Sequence, residues 1–291
     1  MVKKTLMFAL TVAKVHCFAL MTWQAVAQAE TRELIFKSHG VLVKKMDLDS
    51  LEATAPSQYQ PVYEVHESKN LNYKAYHFTK VLDAAYGAAW HRAEEILFTC
   101  TDGYQPSVPR MRFEQHQSFL AFERQGSERF EVINHLKNDE KVPLGPFYLV
   151  WENLKDAEVR ADGATDWPYQ VVAVDLVSFN ERFPGIAPGA KSSATAQRGF
   201  LSFRKYCLSC HLINGEGGGK APELNYPVNI TEYFREDWLR KWIDRPQALR
   251  AGTTMPGLGL EIKNREAVIG DLIAYLRAMK LQKHEPKAKK N

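Results

Sequence analysis

Cysteine is scarce, with four in 291 residues. Removal of a leader ending at Ala29 would leave 262 residues (291 − 29) and three thiols, Cys100, Cys207 and Cys210. An odd count makes no disulfide framework. Low complexity is confined to the C-terminal end, no internal repeat is found, and beyond the N-terminus no apolar run approaches spanning length. With 45% hydrophobic and 25% charged residues, a disordered tail, a collagen-like repeat and a bare zinc-finger peptide are excluded. Neither sign of charge dominates: 38 basic against 34 acidic side chains give +4, which says little about partners. The chain is globular, and about 150 residues per domain sets a prior of two domains.

Lys3 and Lys4, the apolar run after them and the small residues Ala27-Gln28-Ala29 predict a signal peptide over 1–29 and hence export to the periplasm. Lys14 and His16 interrupt the run, so a spanning helix fits less well, although an uncleaved anchor stays open; a membrane is a partner only in that case. Cys17 lacks the small residues that precede a lipidated cysteine.

The mature chain is electrically split. Residues 30–185 hold 17 basic and 24 acidic side chains (−7), and residues 186–291 hold 18 and 10 (+8). Either the halves attract each other or one recruits a partner of opposite charge; ordinary drift is the third account. The Pro-, Gly- and Ser-rich stretch 183–193 marks the boundary, with a linker at 186–193, a second domain over 194–282 and a disordered basic tail over 283–291. A short lysine tail on an exported chain is a solubilising end, and no nucleic-acid partner is expected.

Chemistry concentrates in Cys207-Leu208-Ser209-Cys210-His211. In C-x-x-C-H two thiols add across the haem vinyl groups while the adjoining imidazole reaches the iron, so covalent haem c is the expected cofactor. A redox C-x-x-C would want a βαβ setting and a zinc site a second ligand pair, and neither is present. Ala196, Gly199, Phe200 and Phe203 recur at helical spacing before the motif. Asn264 is placed to cap a helix bearing Val268, Leu272, Tyr275 and Met279, which should cross the first near Gly199. A middle helix from about Thr231, with Trp238, Leu239, Trp242 and Ile243 apolar, should stop at Pro246.

These landmarks, together with Ala221-Pro222-Glu223-Leu224, Thr254-Met255-Pro256 and Leu272–Leu276, resemble class I cytochrome c over about 90 residues in the right order. The resemblance implies an all-α C-terminal domain, His211 and Met255 as axial iron ligands, and a carbonyl of Pro222 that orients His211. Core filling is the alternative for Met255; Met279 reads as packing. His/Met ligation raises the potential relative to bis-histidine and suits a carrier. Lys205, Lys220, Arg240, Lys241, Arg245 and Arg250 form a positive surface, either steering an acidic redox partner or simply solvated.

The N-terminal half reads as α+β: strands at 95–99, 147–151 and 169–174, and a short helix from Asp83 to Trp90. Asp102-Gly103-Tyr104 running to Pro109, and Gly145–Val150, resemble pieces of a sulfite-oxidase-type molybdopterin fold. No Cys-Ala-Gly-Asn-Arg stretch is present, and Phe147-Tyr148 replace the arginine region, so the resemblance implies that fold without its cofactor ligands. Cys100 reads as a buried strand cysteine, with metal, redox and intermolecular roles open. His39, His66, His77, His91, His116 and His135 lack metal-site spacing, and Trp90-His91 with Glu94-Glu95 offers either a polar pocket or a solvated helix end.

The expected function is a periplasmic monohaem carrier of single electrons, non-catalytic, with the N-terminal domain docking a donor or acceptor such as a periplasmic oxidoreductase. The alternatives are a fused redox enzyme feeding the haem and a gas sensor that releases Met255. The single C-x-x-C-H argues against a di-haem peroxidase.

Overall fold

Strand-forming stretches dominate the chain up to Val177. The computed structural model describes residues 32–135, 139–260 and 262–286, so the expected signal segment lies outside the described residues, as do residues 287–291 of the tail. The strands are β1 (Glu33–Ser38), β2 (Val41–Asp47), β3 (Gln58–Glu64), β4 (Lys69–His77), β5 (Glu95–Cys100), β6 (Ser107–Pro109), β7 (Ser118–Arg124), β8 (Glu131–Asn134), β9 (Glu140–Pro143), β10 (Tyr148–Trp151) and β11 (Val171–Val177). One sheet runs β2-β1-β11-β5-β6, a second β10-β7-β4-β3, and β8-β9 form a hairpin. Only β1 and β11 among these pair in parallel, with Ile35 opposite Ala173. Phe36, Phe98 and Val174 of the first sheet share one buried core with Tyr73, Leu120 and Trp151 of the second.

The three predicted strands fall on β5, β10 and β11. The last starts at Val171 because Gln170 sits at φ 61°, outside strand conformations. The helix expected from Asp83 begins earlier, as α1 (Phe78–Tyr86), and gives way at Gly87 to a 3-10 turn through Arg92.

The second half is helical. Ser193 caps α2 (Ala194–Tyr206) by accepting the Ala196 amide at 3.1 Å. Next come α3 (Ile230–Tyr233), α4 (Glu236–Asp244), α5 (Pro246–Leu249) and α6 (Arg265–Met279). Thus the single middle helix expected from Thr231 is interrupted at Phe234-Arg235, and Pro246 opens a short helix instead of merely ending one, as its fixed φ allows at the first helical position. Asn264 does precede α6, but at φ 55° it makes no side-chain cap. The expected crossing of α2 and α6 is present: a Cβ on Gly199 would lie 1.9 Å from the Asp271 carbonyl oxygen, so only glycine permits this approach.

The described residues, from Arg32 on, form one compact unit. Leu97, Val177, Phe179, Phe183 and Ile186 are buried together with Phe203, Leu272 and Tyr275, so the sheet region contributes side chains to the helical core. At the expected linker, Ile186 is buried and its carbonyl accepts the Tyr275 hydroxyl at 2.7 Å, while the Gly185 amide donates to Glu216 at 2.8 Å. Of the basic tail, Lys283 pairs with Glu232, and a Cβ on Gly215 would strike Pro286.

Opposite charges meet at this boundary. Arg204 of α2 reaches Glu95 at 2.5 Å, Lys220 pairs with Asp102, and Lys205 lies 3.8 Å from Asp162. The electrical split is therefore spent at least partly within the molecule.

Candidate functional site

The motif begins where α2 ends. The amides of Cys210 and His211 both donate to the Cys207 carbonyl, at 3.1 and 2.9 Å, closing a tight turn. The Ala221 amide donates to the Cys210 carbonyl at 2.9 Å and brings Pro222 alongside, where its carbonyl accepts from His211 Nδ1 at 2.8 Å. Cys207, Cys210, His211, Pro222 and Met255 all line one cavity of about 770 Å³. The structure thus brings together every site residue expected from the sequence, across 48 positions between Cys207 and Met255.

Burial pulls the His211 imidazole below its ordinary range, outweighing the Pro222 carbonyl and the nearby Glu223, which act the other way. A neutral ring with Nδ1–H committed to a carbonyl leaves Nε2 as a lone-pair donor, the form that ligates a metal. Met255 sits half-buried in the segment between α5 and α6. Its carbonyl accepts from Gln247 at 2.8 Å and its amide donates to Thr253 Oγ1 at 3.3 Å.

The other wall comes from the sheet region. His66, Tyr104, Trp167 and Tyr169 line the same cavity. The loop after β5 lies along the motif: the Gln105 amide donates to the Ser209 carbonyl at 2.8 Å and the Gly219 amide to the Gly103 carbonyl at 3.0 Å. Gly103 has φ 85°, and a Cβ there would meet the Gly219 backbone at 3.1 Å. Behind the wall, Glu64 is fully buried and accepts from His66 at 2.7 Å, Tyr73 at 2.8 Å and Tyr148 at 3.1 Å. Burial alone would raise the Glu64 carboxyl; the hydrogen bonds and charge of His66, with Tyr73, outweigh it and leave it below the usual range. The buried Trp167 indole N–H has no acceptor among the described residues.

These wall residues carry no local signature. His66 sits 141 positions before Cys207, and only the folded chain places it there. The remaining candidates go elsewhere. Cys100 is 3% exposed at the end of β5, and burial pushes its thiol well up, against a reactive role. Trp90 donates to Asp83, His91 meets Glu114, Glu94 accepts from Ser178 and Glu95 from Arg204, so these four residues build no common pocket. Met279 is buried core. Among the described residues no group of three His, Cys, Asp or Glu is placed to hold a metal ion.

The donor set fits haem c: two thiols at attachment spacing, a neutral imidazole, a thioether sulfur, and aromatic walls such as Tyr104, Trp167, Tyr206 and Trp242. The family model for cytochrome c matches residues 196–280. No curated protein matches the chain. The match leaves the sheet region outside it, so the sulfite-oxidase resemblance gains no support there.

Proposed function

From the premise that residues 196–280 are a cytochrome c domain carrying one covalently bound haem c, with a role in electron transfer, we propose that the chain is an exported one-electron carrier. The single observation that carries this reading is the convergence of Cys207, Cys210, His211 and Met255 on one cavity. Cys207 and Cys210 would hold the group through thioethers, His211 and Met255 would bind the iron, and the Pro222 carbonyl would fix the imidazole. Bound there, haem c supplies a one-electron couple whose potential the protein sets.

The sheet region, expected as a docking module, is read instead as the outer wall of the haem site. Its loop 102–105 is hydrogen-bonded along the attachment motif, and His66, Tyr104, Trp167 and Tyr169 line the cavity on that side. A mainly apolar wall on that side would disfavour the more highly charged ferric state and favour a higher potential. Export is supported by the N-terminal signal pattern, and no described helix is long and apolar enough to cross a membrane.

Mass spectrometry of the exported holoprotein tests the attachment, and a redox titration with the ferric absorption spectrum tests the ligands. The expected result is one haem on the 207–211 peptide and a methionine-to-iron charge-transfer band that Met255→Ala abolishes, with a fall in potential. A bare polypeptide mass, or a band that survives Met255→Ala, overturns the respective assignment.

A further inference from the structure

Six basic side chains are candidates for steering a partner, and the fold divides them in two. Lys205 and Lys220 face Asp162 and Asp102 across the boundary, and Arg240 pairs with Glu236 at 3.1 Å. Lys241, Arg245 and Arg250 remain exposed with no carboxylate in ion-pair range among the described residues. All three lie on the single stretch 241–250. The carboxylates of α4 cannot neutralise them: Glu236 is held by Arg240 and Arg277, Asp237 by Arg235, and Asp244 by Arg265.

The same stretch borders a second hollow, of about 390 Å³, lined by Tyr233, Phe234, Trp238, Trp242 and Leu249 with Arg235. Tyr233, Phe234 and Trp242 also line the haem cavity, so one aromatic wall separates the two spaces. Trp238, an apolar position of the expected middle helix, is 44% exposed, and Lys241 Nζ sits 4.9 Å from its ring centroid. An exposed tryptophan and tyrosine, with Lys241 against the indole and with Arg250 following Leu249 and itself lining the haem cavity, has the make-up of a recognition patch: apolar centre, charged flank. The attachment motif, by contrast, has loop 102–105 hydrogen-bonded along it.

We infer that this aromatic hollow with its 241–250 flank is the docking face for a redox protein whose own cofactor is ringed by carboxylates around an apolar spot. The inference rests on the electron-carrier reading. Uncompensated positive charge selects an acidic partner and speeds encounter, and the shared aromatic wall of Tyr233, Phe234 and Trp242 joins that face to the haem cavity.

The experiment uses the ferrous holoprotein and hexacyanoferrate(III), a trianion that accepts one electron and becomes hexacyanoferrate(II) while the protein becomes ferric. Second-order rates are measured by stopped flow from low to high salt. The double variant Lys241→Glu/Arg245→Glu is compared with Lys80→Glu/Lys155→Glu, which makes the same change in net charge on exposed sheet-region lysines. The expected result is a fall of about fivefold or more for the first pair at low salt, vanishing near 0.5 M, and less than about twofold for the second. In parallel, the redox-inert paramagnet tris(oxalato)chromate(III) should broaden the indole N–H signals of Trp238 and Trp242 in the wild type and lose this effect in the first variant. Equal slowing by both pairs, or broadening centred elsewhere, overturns the docking face and leaves the carrier reading intact. A wild-type protein that hexacyanoferrate(III) cannot oxidise overturns both.

Discussion

The sheet region and the helical region differ in how each completes its core. Every residue of the first core lies between Leu34 and Leu176, whereas the second enlists Leu97, Val177, Phe179, Phe183 and Ile186 from outside the span that matches cytochrome c. About 90 residues bury a modest fraction of their surface and are marginal by themselves. The comparison teaches that the dependence is unequal: the sheets need the helices only at a margin, where Leu97, Val177 and Glu95 are covered or paired, while the haem-bearing helices lean on the sheets for packing, for charge and for one wall of the cavity.

Phe179→Ala breaks this comparison most strongly. It empties a buried aromatic site between the regions and should cost about 3–5 kcal/mol. Amide exchange should then quicken in α2 and α6 while β3 and β4 keep their protection; equal loss in both would show one cooperative unit and end the asymmetry. Gly199→Ala acts within the helical region, forcing α2 from the Asp271 carbonyl. A cost of about 3 kcal/mol is expected, read as a lower midpoint in denaturant with unchanged slope. Arg204→Ala sharpens the electrostatic side. It leaves Glu95, 4% exposed, with Ser107 alone, and should cost about 2 kcal/mol, while Arg204→Ala together with Glu95→Gln should recover part of the loss in a double-mutant cycle.

The smallest contrast at neutral pH emerges only in acid. Glu64 and Glu67 both have carboxyls below the usual range: burial opposes this, and His66 and Tyr73, or Lys69 and Arg124, outweigh it. Because folding lowers these values, the unfolded chain binds more protons; the stability they confer is complete above the ordinary glutamate value of 4.5 and is lost as pH falls below it. Melting followed on the sheet region should therefore drop below about pH 4.5 in the wild type, and less steeply in Glu64→Gln. Parallel curves would remove Glu64 from the account.

Several features were legible because they are local. The spacing of Cys207, Cys210 and His211 is a statement about one turn of chain, and the recurrence of Ala196, Gly199 and Phe203 about one helix face. Asn264 marks where α6 begins yet does not cap it, since its left-handed backbone takes the side chain away from the first amides. Trp238 belongs to an apolar helical stripe and is still exposed, because such a stripe says which residues share a face, and not whether another element arrives to cover it. Glu95 read either as part of a polar pocket or as a solvated charge, and what it meets in the fold is Arg204, 109 positions away.

By itself the sequence determined the attachment motif, the helices that carry it, and the opposite charges of the two halves, because these follow from spacing and composition within short stretches. Tertiary structure alone decided that His66, Trp167 and Tyr169 would wall the cavity, that loop 102–105 would lie along the motif, and which lysines and arginines would be left without counterions. Such outcomes depend on which distant surfaces meet, and that is chosen by the burial and charge pairing of the whole chain.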